Sequence, residues 1–113
     1  MGKEMVRKRP MKEILYRESR VASAIGNPAK FSIIDILLKK GPLPLSEISE
    51  AIHRSKSATC YHLSKLKSLE IVRYETQEKG TIYWIKYPKE LKSIMNSLNL
   101  FVKRSFKGVE HEV

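Results

Sequence analysis

The sequence has a single cysteine and lacks long apolar runs. One thiol cannot form a disulfide within the chain, so we expect no disulfide framework and a cytoplasmic location. No apolar run approaches the roughly 20 residues that span a bilayer, and the basic start MGKEMVRKRP leads into no apolar signal core. These absences favour one globular domain with a modest core and no segment in a membrane.

The usual signatures of catalysis and cofactor binding are missing as well. There is no glycine-rich phosphate loop, no nucleophile elbow, no H-E-x-x-H and no C-x-x-C. Glu47 and Glu50 are spaced as neighbours on a helix surface, which is typical of a solvated face rather than of a catalytic pair. We predict that the protein is not an enzyme, has no catalytic residues and uses no cofactor.

Positive charge is what the sequence has in excess. The chain carries 22 lysines and arginines against 12 acids, which gives a net charge of +10. The excess lies in residues 1–30 and from Ser55 onward, whereas residues 31–54 carry equal numbers of both signs. A polyanionic partner, either nucleic acid or an anionic membrane surface, fits this distribution. The alternative is that the charge serves solubility alone.

Apolar residues recur at intervals of three and four along most of the chain, which predicts amphipathic helices. Ser46 and Ser55 are expected to N-cap the third and fourth helices. The third helix is expected to bury Ile48, Ala51 and Ile52. The predicted helices cover residues 11–25, 28–40, 46–52, 55–69 and 88–107.

The pattern changes to that of β-strands after residue 70. Residues 71–75 and 81–87 are rich in β-branched and aromatic side chains, and Glu78-Lys79-Gly80 can form the turn of a hairpin between them. Tyr83 and Trp84 point to opposite faces of the second strand, so we expect at least one of them to pack on the core. Residues 43–45 allow only a small extended segment.

Two short helices joined by a tight turn and followed by a β-hairpin form the order of a winged helix-turn-helix. Over roughly Asn27 to Tyr87 the sequence resembles the ArsR-type (arsenic-repressor-like) repressors of bacteria and archaea. The residues that carry the resemblance are Asn27-Pro28, Phe31, Ile34, Leu37-Leu38, Leu45-Ser46-Glu47-Ile48, residues 55–63, Leu66, Ile71-Val72, Gly80 and Tyr83-Trp84.

The resemblance implies a mainly α fold with a small β-hairpin (α+β), a winged helix-turn-helix with flanking N- and C-terminal helices. It also implies a homodimer whose second short helix enters the major groove of double-stranded DNA. The domain would span residues 11–107, between a flexible basic arm at residues 1–10 and a tail at residues 108–113.

The outward face of the helix at residues 55–69 suits that role. If Thr59, Leu63 and Leu66 point inward, the opposite face carries small hydrogen-bonding groups, one aromatic ring and two cations. Small side chains let a helix lie deep enough in the major groove to reach base edges. The alternative is an ordinary solvated helix face. The residues predicted to contact DNA, including two on the hairpin, are Ser55, Lys56, Ser57, Cys60, Tyr61, Ser64, Lys65, Arg73 and Lys79.

Within this set, Ser57 and Tyr61 can bond bases or phosphates, while Lys56 and Lys65 suit phosphates. Arg73 and Lys79 could straddle phosphates beside the helix, although a merely solvated hairpin turn is an alternative. Arg7, Lys8 and Arg9 form a basic arm that could reach an adjacent minor groove or the phosphates, or could be a solvated terminus.

Cys60 and His62 do not form a metal site on a helix, because residues two apart point about 200° away from each other. Some metal-sensing members of the resembled family place cysteines on the helix before the reading helix, where this chain has none. Glu110, His111 and Glu112 lie in a terminal tail that makes a poor cage. We therefore expect no metal.

Both residues have other expected roles. His62 is predicted to brace two helices through a hydrogen bond from its imidazole to a backbone carbonyl. Cys60 is predicted to be an ordinary thiol on the reading face, with oxidation that breaks DNA binding as the alternative.

The first and last helices carry more apolar surface than one small domain can cover, which predicts packing across a twofold axis. The alternative is that the last helix folds back on its own domain. The residues predicted to form the dimer interface are Ile14, Leu15, Val21, Leu91, Ile94, Met95, Leu98, Phe101 and Val102.

The sequence therefore predicts a sequence-specific DNA-binding transcriptional regulator that represses as a homodimer. Two alternatives stay open at this point. One is a sequence-neutral architectural or chromatin protein, and the other is a winged-helix module that binds protein partners. The content of lysine, glutamate and isoleucine hints at an archaeal or thermophilic source.

Overall fold

The computed structural model describes residues 11–107, which form five helices and three strands. The order of elements is the one that the resemblance implies, with one short additional strand. The elements are α1 (Glu13–Ile25), α2 (Pro28–Lys40), β1 (Leu43–Pro44), α3 (Leu45–Ile52), α4 (Lys56–Ser68), β2 (Val72–Gln77), β3 (Gly80–Ile85) and α5 (Pro88–Ser105).

Polar caps determine where two of the helices begin. The Asn27 side chain accepts a hydrogen bond of 3.0 Å from the Lys30 backbone N–H at the start of α2, and Pro28 occupies the first helical turn. The Ser55 hydroxyl accepts one of 3.1 Å from the Ala58 N–H at the start of α4. The predicted cap at Ser55 is thus confirmed.

The cap predicted at Ser46 is wrong, because α3 begins one residue earlier. Pro44 precedes the helix with φ −76° and ψ 159°, an extended conformation that its ring favours. Ser46 therefore lies inside the first turn. Ala51, predicted to be buried, is exposed, while Ile48 and Ile52 are buried as expected.

The three strands form one antiparallel sheet in the order β1-β3-β2. Leu43 of β1 pairs with Tyr83, and Tyr83 pairs with Tyr74 of β2 on its other side. Gln77 pairs with Gly80, so Glu78 and Lys79 form a two-residue turn. The predicted hairpin is confirmed, and β2 extends two residues further than expected.

Helix α2 is the centre of the core, because it contacts α1, α3, α4, α5 and β3. These elements cover its apolar side, where Ile33, Ile34 and Leu37 are all buried. Burial of one such side chain contributes roughly 1.5–3 kcal/mol. Tyr83 packs against this core, as expected for one of the two strand aromatics.

The terminal helices lie largely outside the core. Met11 to Arg20 are exposed throughout, and on α5 only Leu91 is buried. The radius of gyration is 17.7 Å, whereas a compact chain of this length has about 13 Å. Within residues 11–107 no single helix is long and apolar enough to cross a membrane; α1 and α2 pass only as a pair, bent by 85°.

Leu91 corrects the predicted dimer interface. It is 6% exposed and belongs to the core of its own chain. Val21 and Met95 are half-buried and pack against the same core. Since α5 begins directly after β3, its first turns pack on the domain before the helix leaves it. Six of the nine predicted residues are exposed: Ile14, Leu15, Ile94, Leu98, Phe101 and Val102.

Candidate nucleic-acid interface

Helix α4 is anchored by one face and exposed on the other. Thr59, Leu63 and Leu66 are buried, as the sequence predicts. The Thr59 hydroxyl donates a 2.8 Å hydrogen bond to the Ser55 carbonyl, so the buried oxygen has a partner. The residues that remain exposed on α4 are Lys56, Ser57, Cys60, Tyr61, Ser64, Lys65, Lys67 and Ser68.

Two cations lie near the Tyr61 ring on this exposed face. The Lys30 ammonium from α2 is 5.9 Å from the centre of its ring, and the Lys65 ammonium is 5.4 Å away. The His62 ring meets the Tyr61 ring edge-on, with centroids 5.6 Å apart. Attraction between an ammonium group and a ring face contributes about 0.5–1 kcal/mol at an exposed site, and Tyr61 is 59% exposed.

A second lysine and tyrosine meet where α4 approaches the hairpin. The Lys67 ammonium lies 4.6 Å from the centre of the Tyr74 ring and donates a 3.4 Å hydrogen bond to its hydroxyl. Tyr74 is stacked at a tilt on Tyr83, with centroids 5.9 Å apart. A small cleft of about 230 Å³ opens here, lined by Cys60, Leu63, Ser64, Lys67, Tyr74 and Tyr83.

The pKa of Tyr83, one of the residues that line the cleft, is raised. Burial raises the pKa of the Tyr83 hydroxyl, and the nearby Cys60 and Tyr74 raise that pKa further. Tyr83 therefore stays a neutral hydrogen-bonding phenol at physiological pH. The cleft presents hydroxyl and thiol groups together with the Lys67 cation, which is a suitable surface for an anion or a polar base edge.

The hairpin places Tyr74 and Arg73 on opposite faces. Val72 is buried, and β2 alternates, so Tyr74 shares its face and packs near α4, while Arg73 lies on the other face beside Trp84. Lys79 is exposed at the turn. Arg73 and Lys79, the two hairpin cations predicted to contact DNA, therefore lie apart from the contact between Lys67 and Tyr74.

An ion pair and two backbone hydrogen bonds join the hairpin to the end of α4. Glu70 adopts a left-handed conformation with φ 65°, and its carboxylate accepts a hydrogen bond from the Lys86 ammonium. That hydrogen bond lowers the pKa of Glu70, with the charge of Lys86 acting in the same direction. The Ile71 N–H donates to the Leu66 carbonyl, and the Lys86 N–H donates to the Ile71 carbonyl.

His62 lies on the edge of α4 that faces α2. It is half-buried, but its Nδ1 is buried without a hydrogen-bond partner among residues 11–107, so the bond predicted for the imidazole is not made at that atom. Burial lowers the pKa of His62, and the positive charges of Lys30 and Arg54 lower it further. The ring is therefore neutral at physiological pH.

Metal ligands do not converge in the part of the chain that the structure describes. No group of three histidine, cysteine, aspartate or glutamate side chains is close enough to hold an ion there. Cys60 is a free, exposed thiol. The tail residues Glu110 to Glu112 and the basic arm, Arg7 to Arg9, lie outside the described residues.

The exposed apolar surface of α1 and α5 contains two grooves. One, of about 510 Å³, lies between α1 and α5 and is almost entirely apolar. The other, of about 780 Å³, lies between α2 and α5. Phe31 and Leu98 line both grooves, and the second groove is partly polar, because Ser32, Asp35, Lys39, Asn96 and Asn99 also line it.

Lys30, Lys67 and Tyr74 are the site residues that sequence reasoning missed. Lys67 could have been predicted from the sequence, because it lies seven residues, or two helical turns, after Cys60 and therefore on the same side of the helix. Lys30 could not have been predicted in this way. Its proximity to Tyr61 arises from the packing of α2 against α4, which no local pattern records.

Comparison with known proteins agrees with this geometry. Residues 27–74 match the sequence profile of the family described as "Bacterial regulatory protein, arsR family". That segment contains α2, α3 and α4 and the start of the hairpin. No curated protein matches the chain in sequence at a significant level.

Three solved structures illustrate the similarity of fold. A homodimeric winged helix-turn-helix DNA-binding domain from Mycobacterium bovis is 19% identical, with a TM-score of 0.72 over 80% of this chain and 86% of that one. NolR from Sinorhizobium fredii is 24% identical, with a TM-score of 0.68 over 82% and 95%. The transcriptional repressor PagR of Bacillus anthracis is 21% identical, with a TM-score of 0.63 over 74% and 94%.

Proposed function

We propose that this chain is a DNA-binding transcription regulator related to the arsR family, whose profile matches residues 27–74, and that it represses as a homodimer. Helix α4 enters the major groove of the operator, and the hairpin β2–β3 contacts the flanking backbone. The family and fold are those of regulators rather than enzymes, and the protein has no catalytic role. A regulator of this kind acts on the chromosome, so its place is the cytoplasm.

The exposed face of α4 is the observation that carries this proposal. It combines short polar side chains with Tyr61 and Lys65, and its opposite face is fixed in the core by Thr59, Leu63 and Leu66. A helix held rigidly by one face can present the other to base edges without losing order on binding. Ser57, Cys60, Tyr61 and Ser64 read the sequence, while Lys56 and Lys65 contact phosphates.

Other groups add affinity rather than specificity. Ser55 caps α4 and brings its first turn, with free backbone N–H groups, toward a phosphate. Lys79 at the hairpin turn and Arg73 on its outer face contact the backbone beyond the groove. The arm with Arg7, Lys8 and Arg9 contacts an adjacent phosphate or minor groove.

Dimerisation follows from the terminal helices. The six exposed apolar residues of α1 and α5, together with the grooves around Phe31, form an apolar surface of the kind that marks a protein–protein contact. A second copy packed across a twofold axis covers it. The two α4 helices then read half-sites about 34–36 Å apart, one turn of DNA.

Repression can be tested on natural DNA. The protein is incubated with sheared genomic DNA of its source, the bound fragments are recovered, and each is used as a template for transcription in vitro. We expect the protein to lower the yield of transcripts whose promoters overlap the bound sites. An unchanged yield would contradict repression, and a raised yield would show an activator.

A further inference from the structure

A lysine lies close to a tyrosine ring at each of two exposed edges of α4. On one edge Lys30 of α2 lies 5.9 Å from the ring of Tyr61. On the other edge Lys67 lies 4.6 Å from the ring of Tyr74 and bonds its hydroxyl. Both tyrosines are exposed, at 59% and 42%.

The two lysines lie on opposite sides of α4. Lys30 is near the edge marked by His62, whose pKa its charge lowers. His62 and Lys67 are five residues apart on the same helix, which separates their directions by about 140°. Lys67 faces the cleft toward the hairpin, whereas His62 faces α2. The 140° between them contains the buried side of α4, with Thr59, Leu63 and Leu66. The reading face, with Ser57, Tyr61 and Ser64, lies in the remaining angle of about 220°.

Both charges are held in position without being neutralised. Neither Lys30 nor Lys67 forms an ion pair with a carboxylate within residues 11–107; the pairs there are Arg17–Glu13, Lys39–Asp35 and Lys86–Glu70. Glu70, the acid whose pKa the charge of Lys67 lowers, is already bound by Lys86. A cation stacked on a ring keeps its full charge and loses less side-chain entropy when an anion binds.

We propose that Lys30 and Lys67 bind phosphates on the two opposite strands that border the major groove occupied by α4. A helix with its side chains is about 10–12 Å across and the major groove is about 12 Å wide, so the two edges of an inserted helix lie beside the two backbones. Each lysine and its tyrosine form one clamp, and the pair fixes the depth and tilt of α4. This inference rests on the proposed function.

The salt dependence of binding tests the pair. Lys30→Gln and Lys67→Gln each remove one phosphate contact, so each should reduce the slope of log K against log salt by about 0.9 and the double variant by about twice that. At 0.15 M salt this corresponds to about five-fold weaker binding for each. Lys92→Gln, on α5, removes the same charge away from α4 and should leave the slope unchanged.

Ethylation interference assigns the contacts to strands. In the wild type, ethylation of phosphates on both strands beside the α4 half-site should weaken binding. Lys30→Gln should abolish the effect on one strand and Lys67→Gln on the other. Lys30→Arg, which keeps the charge, should restore the wild-type pattern. Loss on the same strand for both variants would overturn the proposal.

The result also separates this inference from the function on which it rests. If the wild type does not bind duplex DNA, the proposed function fails and the clamps fail with it. If the wild type binds but both glutamine variants have the slope of Lys92→Gln, the regulator stands and the clamps are refuted.

Discussion

Tyr61 is the aromatic side chain on the exposed face of α4, and the cations of Lys30 and Lys65 lie within 6 Å of the centre of its ring. This ring can contact a base edge or a thymine methyl, whereas the lysines next to it contact phosphates whatever the sequence. Specific and non-specific binding should therefore depend on different residues of the same helix.

The substitution Tyr61→Ala should weaken binding to the operator more than binding to random duplex. A lost base contact typically reduces discrimination by about 1–3 kcal/mol. Lys65→Ala is the matched comparison, and it should weaken both complexes similarly and reduce the salt slope. Fluorescence anisotropy with both duplexes measures the two affinities. An equal loss on both duplexes for Tyr61→Ala would exclude its role in specificity.

His62 should make the stability of the protein depend on pH. Burial, then the charges of Lys30 and Arg54, lower its pKa in the folded state below the ordinary value of 6.5. Between the two pKa values the unfolded chain binds the proton more readily. The contribution of His62 is therefore complete above pH 6.5 and is lost as pH falls through the lowered pKa.

The comparison variant is His62→Gln, which cannot titrate. Urea unfolding at pH 7.5 and at pH 5.0 should show a larger loss of unfolding free energy for the wild type than for His62→Gln. The carboxylate of Glu70 loses its stabilising effect only at lower pH, because its folded pKa lies below 4.5. Equal losses for the two proteins would mean that His62 titrates alike in both states.

At the scale of single elements, α4 depends on its first turn. Ser55 accepts the hydrogen bond from Ala58 N–H that would otherwise be lost, and its carbonyl accepts one from the Thr59 hydroxyl. Replacement of an N-cap serine by alanine costs about 1 kcal/mol. The contribution of Ser55 to folding can be separated from its contribution to DNA binding.

Ser55→Ala should lower the unfolding free energy by about 1 kcal/mol in urea titrations. Ser55→Asp keeps a cap and adds a charge that favours the helix N-terminus, so its stability should match the wild type. The same aspartate should weaken DNA binding, because it faces a phosphate in the proposed complex. If Ser55→Asp binds DNA as tightly as the wild type, this end of α4 does not face the backbone.

The elements were predictable to different degrees, for physical reasons. The buried side of α4 could be predicted because Thr59, Leu63 and Leu66 follow the helical period and the core lies on that side only. The two-residue strand β1 is too short to show alternation; its pairing with β3 is a tertiary event. The start of α3 was missed because Pro44, not Ser46, sets the backbone before the helix.

At the scale of the whole molecule, the sequence could not separate the apolar residues of α5 by destination. Leu91 and Leu98 belong to the same stripe, yet Leu91 is in the core and Leu98 is 40% exposed. The helical periodicity predicts only that these side chains lie on one apolar face of α5. Whether a leucine of α5 is covered by the core of its own chain or by a second copy depends on where α5 leaves the domain. The contact of Lys30 with Tyr61 could not be predicted either, because it depends on how α2 packs against α4.

The dimer can be tested on α5 with two leucines that lie two residues apart. Leu98 lines both apolar grooves, whereas Leu100, 67% exposed, lies about 200° away around the helix among Lys103, Arg104 and Lys107. Leu98→Glu should give a monomer in sedimentation velocity, because it places a charge in the interface. Leu100→Glu should remain a dimer. A dimer in both cases would place the interface elsewhere.

The central claim is that two copies of α4 together read one site in double-stranded DNA. Its most direct test is selection from a pool of randomised duplexes at about 0.15 M salt, followed by sequencing of the retained DNA. We expect an enriched inverted repeat whose half-sites are about 10 base pairs apart. Retention without an enriched sequence, or no retention at all, would contradict it.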